Sequence, residues 1–280
     1  MPAEVVTSTE KLETAGELVR RHRLSTRIWH WVNAVILLLM LMSGLMIFNA
    51  HPRLYWGQYG ANSDPAWLEI GSHDDRGFVR IGDLQIDTTG LLGLWETDKG
   101  GREHRAFPAW ATLPSTYSLA LSRRWHLTFA WLFTAGIVVY ALWSLMNGHV
   151  WRDLLPRAPE LKPGHVWREI KQHARLKFYN GSEAPGYNVL QKVSYLVVFF
   201  LLALLVLSGL TMSPAMDAIW PWLLDLFGGR QSARSLHFIA AALVLLFVLV
   251  HLLMVVLAGP FNEIRSMITG RFRLPKKTSL

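Results

Sequence analysis

Four apolar runs limit what this chain can fold into. They cover residues 28–48, 125–145, 193–212 and 236–257. Each is about 20 residues long, which at about 1.5 Å per residue crosses a hydrocarbon core of roughly 30 Å. Leu, Val, Ile and Phe dominate them, and no charged side chain sits at their centres. A soluble helical bundle would carry a polar stripe along each helix; these runs carry none. The sequence therefore predicts an all-α membrane protein, a four-transmembrane-helix bundle. The first run is long and lacks a small-residue cleavage pattern, so it reads as a retained helix rather than a signal peptide.

Composition supports the membrane class, with 51% hydrophobic residues, 17% charged residues and 13 Trp, a residue that gathers at bilayer interfaces. The net charge of +8 does not imply nucleic acid, because the basic residues sit mainly beside the apolar runs. Arg20, Arg21, Arg23 and Arg27 precede the first run. Arg152, Arg157, Lys162, Arg168, Lys171, Arg175 and Lys177 lie between the second and third, and Arg265, Arg271, Arg273, Lys276 and Lys277 follow the fourth. By the positive-inside rule all three regions are cytoplasmic. The predicted layout is a cytoplasmic segment 1–27, a bundle 28–258 with a cytoplasmic loop 148–189, and a cytoplasmic tail 259–280. Both termini then lie inside a bacterial inner membrane crossed several times.

The segment 49–120 falls outside, in the periplasm, and its nine acidic residues against six Lys and Arg suit that side. It is too long for a plain connection. Its Gly- and Asp-rich stretch GSHDDRGFVRIGDLQIDTTGLLGLW suggests short strands near 79–81 and 84–86. It can serve as a cap over the bundle mouth, as a docking surface for a periplasmic partner, or as both. No internal repeat is evident.

Chemistry enters through histidine. The chain has no cysteine, which excludes disulfides, thiolate metal sites and covalently attached haem. The fourth run holds His237 and His251, fourteen residues apart. At about 100° per residue they fall within about 40° of one another around the helix and about 21 Å apart along it. His30, at the start of the first run, matches the depth of His251; His126, at the start of the second, matches His237. Two opposed imidazoles at each depth could clamp a haem iron axially. Taken singly, a histidine in a span is more often a hydrogen-bonding or proton-relay group. The pattern of two depths on one shared helix favours two non-covalent haems b.

Several other residues fit around that pattern. Gly44 lies fourteen residues after His30, on the same face and at the outer depth, where a missing side chain would admit a flat macrocycle. Arg123, Arg124 and Arg234 stand beside the outer histidines, as propionate partners or as interfacial cations. Asn33, one turn from His30, could touch haem or quinone or simply another helix.

On these residues the chain resembles the bacterial di-haem cytochrome b family that forms membrane subunits of nickel–iron hydrogenases, formate dehydrogenases and thiosulfate reductases. The stretches are RIWHWVNAVILLLMLMSG, RRWHLTFAWLF, the pair His237 and His251, and the tail FNEIRSMITGR. NVLQKVSYLVVFFLLALLVLSGLTMSP is most similar to the thiosulfate-reductase-type branch. The resemblance implies that His30 and His251 bind a cytoplasmic-side haem and His126 and His237 a periplasmic-side haem. It also implies electron transfer between quinone or quinol and a periplasmic molybdopterin or hydrogenase-type subunit. Two other functions compete. One is a stand-alone superoxide:quinone oxidoreductase, its anionic substrate drawn by the outer arginines. The other is a proton or metal transporter, which would call for mid-membrane carboxylates that the spans lack.

Overall fold

The computed structural model describes residues 18–97, 100–174 and 189–273. In chain order the elements begin with β1 (Leu18–Arg20), α1 (Leu24–Asn49), β2 (Arg53–Leu54), β3 (Leu68–His73), β4 (Arg76–Ile81), β5 (Leu84–Asp87), β6 (Trp95–Glu96) and β7 (Arg102–Glu103). They continue with α2 (Leu119–Met146), α3 (Pro163–Ala174), α4 (Val189–Thr211), α5 (Pro214–Ile219), α6 (Trp222–Phe227), α7 (Arg230–Ala258), α8 (Pro260–Thr269) and β8 (Arg271–Arg273).

Helices α1, α2, α4 and α7 are long and apolar enough to cross a membrane. Each begins four to six residues before its apolar run, because the polar first turns are helical although they are not hydrophobic. Most of their large side chains are exposed, including Leu38, Val139, Phe200 and Leu249. Apolar surface of that extent has a solvent in lipid, whose tails are as apolar as leucine.

The chain divides into two compact units, Asn33–Val250 and a smaller one from Met1–Val32 with His251–Leu280. In the larger unit the segment between α1 and α2 is a folded element. Strands β2–β5 form an antiparallel sheet in the order β2-β3-β4-β5, with Ile70 opposite Val79. The β3–β4 turn places Asp74 and Asp75 at φ 46° and 59°, the two positive angles of the hairpin turn that follows strand twist. The expected strands near 79–81 and 84–86 are β4 and β5. An all-α description is therefore corrected: the fold is mostly helical with a sheet inserted after the first span. The inserted sequence is rich in turn residues, and its apolar side chains come in runs too short for a spanning helix.

That insert is bonded to the helices. Phe48 at the end of α1 shares a core with Leu54, Leu68, Ile70 and Ala106, against which Phe238 of α7 packs. The Asn49 side chain accepts from Phe107 N–H at 2.8 Å and donates to Phe107 C=O at 3.2 Å. The first turn of α7 has N–H groups with no partner inside the helix. Two of them, on Gln231 and Ser232, donate to the Gly57 carbonyl at 3.1 Å each. Gly229 sits at φ 111°, and a Cβ there would lie 2.6 Å from the Gly57 oxygen, so only glycine lets this loop seat on the helix start. Trp67 Nε1 donates to Ser235 Oγ at 2.9 Å, and that hydroxyl donates to the Tyr55 carbonyl at 2.6 Å.

Farther along this unit, the buried Lys192 ammonium donates to Glu160 at 2.9 Å. That bond holds the Glu160 carboxyl below its ordinary pKa. In the smaller unit two segments far apart in sequence knit together. Strand β1 pairs antiparallel with β8, Val19 opposite Phe272. Arg21 reaches Glu263 at 3.1 Å, Trp31 Nε1 donates to the Met267 carbonyl at 3.2 Å, and Arg27 donates to the Ile268 carbonyl.

Asn49→Ala removes both bonds to Phe107 and leaves a half-buried backbone N–H unpaired, a loss of about 1–3 kcal/mol. Limited proteolysis should then cut residues 50–118 faster than in the wild type, with the four spans still intact.

Candidate functional site

Two imidazole pairs form across helices. His30 of α1 and His251 of α7 have ring centroids 6.4 Å apart, their planes inclined at 56°. His126 of α2 and His237 of α7 stand 6.3 Å apart at 62°. A metal–imidazole bond is about 2 Å and a ring centroid lies about 1 Å behind its nitrogen, so two trans axial imidazoles hold their centroids about 6 Å apart. Both pairs meet that spacing.

Among the described residues no group of three or more His, Cys, Asp or Glu side chains could hold a metal ion. A bare transition metal usually takes about four to six protein or water donors. A site of two imidazoles suits an ion that brings its own equatorial ligands, as haem iron does.

Hydrogen bonds fix the tautomer of the His126/His237 pair. His126 Nδ1 lies 3.0 Å from the Met40 carbonyl and 3.2 Å from Ser43 Oγ. A carbonyl only accepts, so Nδ1 carries the proton. The Ser43 hydroxyl gives its own proton to the Leu39 carbonyl at 2.6 Å and so can only accept from the ring. His237 is held the same way. Its Nδ1 lies 3.0 Å from Ser208 Oγ, whose proton goes to the Leu204 carbonyl at 2.5 Å. With Nδ1 donating, Nε2 keeps its lone pair in both rings, the arrangement of a metal-ligating histidine oriented by an outer partner.

The glycines beside these serines matter as much. A Cβ on Gly44 would lie 3.3 Å from His126 Cε1, and one on Gly209 would lie 3.5 Å from His237 Cε1. The close approach at Gly44 is thus to the imidazole, where the sequence pointed to a macrocycle. The motif Ser-Gly-Leu occurs twice, at 43–45 on α1 and 208–210 on α4, and each copy seats a histidine of a neighbouring span. A search for a motif shared by the ends of the first and third spans would have found Ser43, Ser208 and Gly209, which residue-by-residue reading missed.

The His30/His251 pair is built differently. His30 Nδ1 is buried and has no hydrogen-bond partner, and its ring meets Trp31 edge-on at 5.2 Å. Asn33 is half-buried on α1. Arg123 and Arg124 are exposed on α2, three and two residues before His126. Arg234 is half-buried one turn before His237. It donates to the carbonyls of Arg53, at 3.0 Å, and His51, and lies 5.7 Å from the Phe48 ring centre.

The model of the prokaryotic cytochrome b561 family matches residues 21–270. Among curated proteins, the chain is 29% identical over 137 residues to one from Azospira oryzae provisionally named protein-methionine-sulfoxide reductase subunit YedZ1. That alignment covers 48% of this chain and 64% of the relative, so it spans less than two thirds of the relative's length. No solved structure matches the chain.

Gly44→Leu and Gly209→Leu would each push a side chain into the imidazole it faces. Each should lower haem content, measured as pyridine haemochrome per chain, well below that of a control such as Gly164→Ala, whose Cβ meets open space.

Proposed function

The chain belongs to the prokaryotic cytochrome b561 family, and we propose that it is a di-haem b-type cytochrome carrying electrons across the bacterial inner membrane. Membership makes it a multi-pass membrane protein that binds haem b. The observation that carries the finer reading is the pair of two-imidazole sites, each at axial-ligand spacing and both drawing a ligand from α7. In this reading His30 and His251 hold the cytoplasmic-side haem, and His126 and His237 hold the periplasmic-side haem.

Haem iron, when bound, supplies one-electron chemistry between its ferric and ferrous states. The residues of this chain supply ligands and orientation. Ser43, Met40 and Ser208 hold the rings so that Nε2 faces away from its hydrogen-bond partners with its lone pair free. The helical span between His237 and His251, about 21 Å at 1.5 Å per residue, makes α7 a frame for transfer across most of the bilayer. Electrons would enter or leave at quinone on the cytoplasmic side, with Asn33 a polar contact there. Arg123, Arg124 and Arg234 would offset the negative charge of propionates on the other side.

The outer partner is a catalytic redox subunit, of molybdopterin or hydrogenase type. The name of the Azospira oryzae relative, which mentions a reductase subunit, supports a reductase partner. Positive flanks support cytoplasmic termini and a periplasmic sheet insert. On that insert Leu84, Ile86 and Tyr59 are exposed, a surface suited to docking as well as capping.

Dithionite reduction of the detergent-purified protein should give a b-type spectrum with two haems per chain. His251→Ala should reduce that to about one haem per chain, with the remaining haem spectrally unchanged; loss of neither haem would refute the pairing. Reporter fusions near Asp83 and after Arg273 should give opposite sidedness. The same side for both would overturn the four-span topology.

A further inference from the structure

One turn before His237 a half-buried cation bonds to the backbone of a residue whose imidazole nitrogen is orphaned. Arg234 makes no ion pair with a carboxylate among the described residues; its bonds go to two backbone carbonyls, leaving three of its five N–H donors for another acceptor. By contrast, neighbouring Arg53 is matched by Glu69 at 2.9 Å. His51, whose carbonyl receives Arg234, stacks on Tyr55 with ring centroids 5.7 Å apart. Its Nε2 is buried and has no hydrogen-bond partner. An uncompensated guanidinium in a partly dry site calls for an anion, and the unpaired ring nitrogen donates to the same anion when it carries a proton.

We propose that Arg234 and His51 form a carboxylate-binding site that receives a propionate of the haem held by His126 and His237. The proposal rests on the di-haem reading above. Arg234 stands one helical turn from His237 on the same helix, toward the sheet insert, and propionates are the anionic edge of a b-type haem. His51 comes from the chain just after α1, so the site joins the insert to the haem edge. Phe48 and Phe238, with ring centroids 4.8 Å apart, pack beside it and limit water.

The charged and titratable groups facing His51 are Arg234 from α7, Arg53 from β2 and the stacked Tyr55. Burial, then the positive charges of Arg234 and Arg53, push the His51 pKa down. A carboxylate on Arg234 would cancel part of that effect and bring His51 back toward the range in which histidine titrates. Reducing the haem adds one negative charge and draws the proton more strongly. The midpoint potential of this haem should therefore fall as pH rises through the His51 titration.

The test is a redox titration of both haems in the detergent-purified holoprotein, from about pH 5 to pH 8. His51→Phe keeps a ring on Tyr55, and His51→Gln keeps a donor that cannot titrate. Both should flatten the pH dependence of the His126/His237 haem and leave the other haem unchanged. Acetate serves as a probe for a diffusing carboxylate and should not move either potential in the wild type. Unchanged pH dependence in both variants overturns the proposal while the two-haem reading stands. A shift with acetate overturns the propionate assignment and makes the occupant a diffusing carboxylate. A wild type with no haem at the His126/His237 pair overturns the di-haem reading, and this proposal with it.

Discussion

The bond from a histidine ring N–H to a helix carbonyl or serine oxygen governs the larger unit. Inside a span a polar side chain has no water to turn to, so an imidazole must find a partner within the bundle. His126 finds the Met40 carbonyl and Ser43, and His237 finds Ser208. Each bond decides three things together: which ring nitrogen carries the proton, which way the ring points, and how close two helices stand. The last follows because the serine is followed by glycine, which lets the ring lie against the neighbouring backbone.

The sheet insert has a mechanical relation to that geometry. It holds the start of α7 through Gly57, Gln58, Tyr55 and Trp67, all within the turns that lead to His237. A helix end normally frays. Here its free N–H groups are taken by a loop whose own position is set by the Phe48 core. His237 therefore sits two turns from a fixed end. The same bonds explain why a segment this long is ordered at all, since a loop without such partners would gain little to offset the entropy of being held.

Spans and histidine pairs were legible in the sequence because both follow from a single helical period. Apolar length marks the spans, and a fourteen-residue interval fixes the face and depth of two histidines with no knowledge of neighbours. What stayed hidden depends on which elements meet. Ser43 and Ser208 look like ordinary small residues in an apolar run until another helix brings an imidazole to them. Leu18–Arg20 and Arg271–Arg273 give no local sign that they pair, since three-residue strands at opposite ends of a chain carry no readable alternation. The insert was half legible: turn residues and the strands near 79–81 and 84–86 could be read, but its attachment to α7 could not. His51 carries no sign in the sequence, because burial of one nitrogen is a property of packing.

The two histidine pairs also differ in a way that spacing alone would not suggest. Their centroid separations agree within 0.1 Å, yet His126 and His237 have ring protons tied to neighbouring helices, whereas His30 has a buried Nδ1 with no acceptor. Ring orientation in the first pair is set by hydrogen bonds. Around His30 it depends on contacts such as the Trp31 edge, with Trp31 itself bonded to the Met267 carbonyl. A hydrogen bond to Nδ1 increases the basicity of Nε2 and so favours the more positive metal state. Equal ring spacing thus goes with different support for the rings of His126 and His30.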